Sequence, residues 1–202
     1  MSGFLNAKLP PGTGTVHRAT LDALAQYGPR RAGMTHIARL AGANRPYLYR
    51  NWASREALVR EATRLELKRL LYLARELVAP SPPRCLETRV VVRAARLVRE
   101  HPVVRTVART DPELVHTAIL RPVTDWHAMA WSWLHDHVTG HLTAAAERDS
   151  TTWAVLTTAL PYALTPPPDS SDPGERAVID ARLSTAVHLC LGVSPPCTDC
   201  EP

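Results

Sequence analysis

Apolar residues along this chain recur at helical spacing almost everywhere. Leu21, Leu24 and Ala25 lie three and four apart, as do Met34, Ile37, Ala38 and Ala41. The best β-branched run, Val90 to Val92, sits inside a helical period with Leu86, Ala94, Leu97 and Val98, so it predicts helix rather than strand. Breakers divide the pattern at Pro10-Pro11-Gly12, Gly28-Pro29, Gly42, Pro80 to Pro83, Pro102, Pro112, Pro122, Pro166 to Pro168 and Pro173. Helices are predicted over 14–27, 34–41, 45–52, 54–79, 84–100, 103–109, 112–120, 122–143, 150–164 and 174–191. The pieces 103–109 and 112–120 can count as one broken helix, which makes about nine. The expected fold class is all-α.

The first sixty residues carry the strongest local signal. Two short predicted helices, 34–41 and 45–52, are joined by Gly42-Ala43-Asn44, the layout of a helix-turn-helix. Gly42 suits the left-handed residue that ends the first helix, and Asn44 suits the N-cap of the second. Pro46 falls in the first turn, where its missing N–H costs nothing. In the second helix Leu48 and Trp52 are four apart and can pack inward. Arg45, Tyr47, Tyr49 and Arg50 are then left on or near the surface, and guanidinium forks and phenol hydroxyls there can reach base edges and phosphates in a major groove.

Residues 16–62, VHRATLDALAQYGPRRAGMTHIARLAGANRPYLYRNWASREALVREA, resemble the DNA-binding domain of the TetR family of transcriptional regulators. Ile37-Ala38-x-x-Ala41-Gly42 and Leu48-Tyr49-Arg50-x-Trp52-x-Ser54-Arg55-Glu56-x-Leu58 follow the family pattern in register. Three positions depart from it. Gly33 stands where the family usually has a capping Ser or Thr, which leaves that contact to a backbone N–H or to replacement by Thr35 or His36. Tyr47 replaces a small polar residue, and Asn44 a frequent Ser. The resemblance implies that Tyr49 contacts phosphate and that Arg55 does so at the start of the fourth helix. It also implies a dimer bound to an operator of double-stranded DNA. The expected division is an N-terminal arm 1–13, a helix-turn-helix domain 14–53, a helical effector-binding and dimerisation domain 54–192, and a tail 193–202.

Charge supports the same division. The chain of 202 residues has a net charge of +5, but residues 1–79 hold 13 Lys/Arg against 5 Asp/Glu and the remainder 11 against 14. The basic excess lies wholly at the end that resembles a DNA-binding domain. A composition of 45% hydrophobic and 21% charged residues is that of an ordinary globular protein. No apolar run is long enough to span a bilayer and residues 1–20 contain no signal-peptide core, so a cytoplasmic protein with no membrane partner is expected. Four cysteines are too few and too scattered for a disulfide scaffold.

Beyond residue 54 the pattern is less specific. The predicted helix 122–143 is unusual because apolar and aromatic residues cover about half its circumference, as in a helix surrounded on several sides. Trp126, His127, Ala130, Trp133, His137 and His141 fall on that face and predict an aromatic effector cavity with imidazoles as its polar groups. His137 and His141 also have the i, i+4 spacing at which two imidazoles share a metal, and Cys197-x-x-Cys200 could supply sulfurs. With no third ligand nearby, no metal and no cofactor is assigned. Ile179, Leu183, Ala186 and Cys190 form a stripe on 174–191 that matches Trp153, Leu156 and Leu160 on 150–164. In the resembled family this helix pair builds the dimer interface.

The leading expectation is a ligand-responsive homodimeric DNA-binding regulator, most simply a repressor released by a small hydrophobic effector. The rival is a helical-bundle enzyme or metal sensor using the histidines of 122–143. Against an enzyme, no Ser/His/Asp or Cys/His arrangement, P-loop or GxGxxG stands in the sequence. A third class, a structural DNA-binding protein with no effector, would lack any pocket.

Overall fold

The buried apolar side chains gather into two separate cores, one toward each end of the chain. The computed structural model describes residues 12–76, 85–121, 124–166 and 173–193, and these form ten helices with no strand among the described residues. Helices α1 (Thr13–Arg31), α2 (Met34–Ala41) and α3 (Arg45–Asn51) enclose the first core with the start of α4 (Arg55–Glu76). The second core lies among α4, α5 (Leu86–Glu100), α8 (Asp125–His137), α9 (Ala145–Leu164) and α10 (Pro173–Cys190). Two short helices, α6 (Pro102–Thr110) and α7 (Pro112–Leu120), complete the chain. They are distinct because Asp111, at φ −144° and ψ 61°, breaks the path before Pro112. No described helix is long and apolar enough to cross a membrane.

The stop expected at Gly28-Pro29 joins the two halves. Helical geometry resumes as far as Arg31, but Gly28 sits at φ 75° and ψ 168°, outside the helix. Pro29 has no N–H to offer the carbonyl of Ala25, four residues earlier. That carbonyl instead accepts a hydrogen bond from Thr106 Oγ1 of α6 at 2.7 Å. A Cβ on Gly28 would lie 2.9 Å from Thr110 Oγ1, so glycine serves both the positive φ and the close approach of α6. Arg30 pairs with the buried carboxylate of Asp111, and Val103 packs on the first core.

Two helix boundaries differ from the sequence pattern. The helix predicted over 122–143 ends at His137, and α9 begins five residues earlier than the predicted 150. At this turn Thr139 is fully buried, with Oγ1 2.7 Å from Thr152 Oγ1 of α9. A Cβ on Gly140 would come within 2.8 Å of the Asp136 carbonyl. The stripe predicted on α10 also divides: Leu183, with Leu156 of α9, is buried in the chain's own second core rather than left for a partner. The arm up to residue 11, residues 77–79 of the predicted fourth helix, and the tail with Cys197 and Cys200 lie outside the described residues.

An ion cluster ties α10 to α5. Arg99 is 1% exposed; its Nη2 donates to Asp180 Oδ1 at 2.7 Å and its Nη1 to the Tyr162 carbonyl at 3.2 Å. Arg96 Nε donates to the other Asp180 oxygen at 2.6 Å. Removing one partner of a buried pair leaves the other charge uncompensated in a poorly solvating interior. Asp180→Ala should therefore cost about 3–5 kcal/mol, measured by urea unfolding of the purified protein. A loss below about 1 kcal/mol would place the pair in the range of exposed ion pairs and contradict its assigned weight.

Candidate nucleic-acid interface and effector groove

The turn between α2 and α3 forms as its residues dictate. Gly42 adopts φ 64°, and Asn44 Oδ1 accepts the Tyr47 N–H at 2.8 Å to cap α3. Leu48 is fully buried, and Trp52 is nearly so, its indole N–H donating to Glu61 at 3.0 Å. These two inward residues fix which face of α3 turns outward. Arg45, Tyr49 and Arg50 occupy that face and are exposed, with the Arg45 guanidinium 5.8 Å from the Tyr49 ring centroid. Thr35 is exposed at the start of α2.

The other residues expected at DNA have internal partners. Arg55 faces inward: its Nε donates to the Ala32 carbonyl at 2.7 Å and its Nη2 to the Pro29 carbonyl. Its third nitrogen lies 3.3 Å from Glu56. Arg55 thus clamps α4 to the α1–α2 turn, because both carbonyls lie beyond the broken end of α1. His36 stacks on Tyr27 with centroids 4.5 Å apart, and its Nδ1 is buried without a partner. Tyr47 is half-buried against the first core, and the Asn44 oxygen is engaged as a cap. The exposed face comprises Thr35, Arg45, Tyr49 and Arg50.

In the body, the six residues expected to line one cavity separate. Trp126 is 40% exposed, and Ala130 packs on the second core. His127 is buried as a latch: Nδ1 faces Thr124 Oγ1 at 2.6 Å and Nε2 faces the Ala118 carbonyl at 2.9 Å, joining α7 to α8. His141 lies beyond the end of α8, so it no longer shares a helical face with His137 and the proposed metal spacing is broken. No group of three potential metal ligands occurs among the described residues.

Trp133 and His137 do come together, on an open groove of about 460 Å³ between α4 and α8. Trp133 is nearly buried and meets His137 edge-on, with centroids 5.6 Å apart. Arg75 Nη1 lies 2.7 Å from His137 Nδ1. Burial lowers the His137 pKa below its ordinary value, and the Arg75 charge lowers it further. The α4 wall (Arg64, Lys68, Leu71 and Tyr72) was missed from sequence, although basic residues at 60, 64 and 68 lie at the i, i+4 spacing of one helix face. The site is a polar-walled groove with an apolar floor, not an enclosed aromatic cavity.

Residues 17–62, which cover α1 to α3 and the first turns of α4, match the family model described as bacterial regulatory proteins, tetR family. The match is confined to the head of this chain. The whole chain has the fold of TetR-family regulators, and two solved structures illustrate it. A transcriptional regulator from Rhodococcus sp. Rha1 is 16% identical, with a TM-score of 0.58 over 91% of this chain and 100% of its own. A TetR-family repressor from Dietzia sp. strain DQ12-45-1b, implicated in biodegradation of n-alkanes, is 15% identical, with a TM-score of 0.57 over 95% and 99%. No curated protein matches the chain.

The His127 latch has a pH consequence in this TetR-family fold. Burial lowers its pKa below the ordinary 6.5, against the opposing pull of the Ala118 carbonyl. The unfolded chain therefore binds a proton more readily than the native one, so stability is full above about pH 6.5 and falls as pH drops. Thermal melts at pH 7.5 and 5.5 should show a lower Tm at the acid value, and His127→Gln should reduce that difference. An unchanged difference in the variant would assign the slope to His101 and His137, whose pKa values burial also lowers.

Proposed function

We propose that this chain is a transcriptional repressor that binds a pseudo-palindromic operator as a homodimer and releases it when a small organic effector occupies the α4–α8 groove. The observation that carries the DNA-binding part is the orientation of α3. Leu48 and Trp52 hold one face inward, and Arg45, Tyr49 and Arg50 turn outward. A two-fold dimer would set two such helices in successive major grooves, about 34 Å apart. Arg45→Ala and Arg50→Ala should each weaken operator binding by about 1–3 kcal/mol while the melting temperature holds. Fluorescence anisotropy on an operator selected from genomic fragments measures this. Arg55→Ala should lower the melting temperature as well, because its hydrogen bonds are internal. Full affinity in both Arg45→Ala and Arg50→Ala would remove the assigned role of α3.

The dimer reading rests on apolar side chains left exposed on the last two helices, Trp153 on α9 and Val178 and Leu189 on α10. Ala181 and Thr185 are exposed between Val178 and Leu189 on α10 and permit close approach of a second copy. Light scattering at micromolar concentration should give twice the 22.3 kDa chain mass. Combined Trp153→Glu and Leu189→Glu should give a folded monomer. A wild-type monomer under these conditions would refute the dimer.

A further inference from the structure

The charges of the α4–α8 groove are ordered along its length. The two helices run side by side in the same direction. Arg60 lies 4.0 Å from Asp125 at one end, and Arg75 lies 2.7 Å from His137 at the other. Polar pairs therefore occupy both ends. Between them α4 contributes Arg64 and Lys68 to the lining, while the middle of α8 contributes Ala128, Met129 and Ser132, none of them charged. Asp136, the acid near the far end, is already approached by His135 at 3.4 Å and Arg148 at 3.9 Å. Lys68 rests 5.9 Å from the Tyr72 ring centroid, and neither it nor Arg64 meets a carboxylate among the described residues.

Two cations one turn apart repel each other, and an anion between them relieves that repulsion. The floor beneath them has a different character: Leu71 and Trp133 are buried, with Met129 beside them. His137 accepts from Arg75 at Nδ1, so its proton sits on Nε2 and it adds a neutral donor to the lining. We propose that this groove binds an organic monoanion, with a carboxylate held by Arg64 and Lys68 and a flat apolar body lying against Met129, Leu71 and Trp133. Guanidinium and ammonium both pair strongly with carboxylate, and the volume lies within the usual range of about 300–1,000 Å³ for small-molecule sites. Asp125 and Asp136 at the ends disfavour a second negative charge, and the apolar floor gives inorganic anions nothing to rest on. The proposal gives the effector of the repressor reading its chemical class and rests on that reading for its regulatory meaning.

The test is a titration of the full-length protein with 2-naphthoate, 2-naphthamide and 2-naphthylmethylamine, followed by calorimetry and by tryptophan fluorescence. Naphthoate should bind and quench, and the amide and amine should bind at least about tenfold more weakly, as expected for loss of a charge-assisted hydrogen bond. The R64Q/K68Q double variant should lose about tenfold or more for naphthoate with an unchanged thermal melt, since Arg64 and Lys68 are exposed. Equal binding of amide and carboxylate, unchanged affinity in R64Q/K68Q, or no naphthoate binding up to the millimolar range would overturn the proposal. Inorganic phosphate matching naphthoate would overturn its apolar part. Anisotropy of the protein–operator complex with added naphthoate is read separately. Groove binding without DNA release would refute the regulatory reading and leave the ligand class standing.

Discussion

The carbonyl of Ala25 is the point on which the joining of the two halves depends. Pro29 removes the N–H that would have met it inside α1, and Thr106 of α6 supplies a hydroxyl in its place. A helix break in the head thus becomes a docking site for the body. The break would be of little use with any other residue at 28, because a side chain there would meet Thr110 and resist a φ of 75°. The Arg30–Asp111 pair lies on the same seam and aligns the start of α7 with the end of α1. Breaking this seam would cost the Ala25 carbonyl its Thr106 donor and the buried Asp111 carboxylate its Arg30 partner, so satisfied polar groups join the apolar contact of Val103 in holding head to body.

The other connection is α4, which belongs to both cores. Leu58 and Ala62 are buried near its start, and Leu70, Leu71 and Ala74 near its end. Arg55 fixes its first turn to the α1–α2 turn, and the groove opens along its middle. A ligand bridging Arg64 and Lys68 to α8 would act on the helix whose N-terminus is clamped to the α1–α2 turn. Such a ligand changes the heads only as far as it prefers one placement of α4 over another.

Legibility in the sequence followed the range of the interactions. The helix-turn-helix was readable because Gly42, Asn44, Leu48 and Trp52 act within a few residues of one another, through dihedral preference, capping and helical spacing. The all-α class and most helix bounds followed from periodicity and prolines for the same reason. The end of α8 was not readable, since it depends on Thr139 turning inward to meet Thr152 of α9. A helix continued to residue 143 would set His141 on the face of His137, and the end of α8 at His137 prevents this. His127 was assigned to ligand because an imidazole on an apolar face has two explanations, and only the position of the Ala118 carbonyl decides between them. Arg55 matched the family pattern in sequence, yet its partners are carbonyls more than twenty residues away.

The same long-range effects correct the simplest use of net charge. The basic excess of residues 1–79 marks the expected DNA-facing end, but several of those cations have internal partners. Arg30 pairs with Asp111, Arg39 donates to the Tyr27 hydroxyl, Arg55 holds two carbonyls, and Arg69 makes a two-pronged contact with Glu66. A guanidinium bonded in this way still contributes to the long-range field around the head, which would attract a polyanion. Arg39, engaged through a single nitrogen, keeps other N–H groups for a phosphate, whereas Arg55, with Nε and Nη2 both committed to carbonyls, would have to break bonds first. On the proposed reading, steering would draw on the whole basic excess of the head, and close contact chiefly on the exposed cations of α3, Arg45 and Arg50. The tyrosine between them, with Arg45 over its ring, narrows the orientations that face can take before DNA arrives.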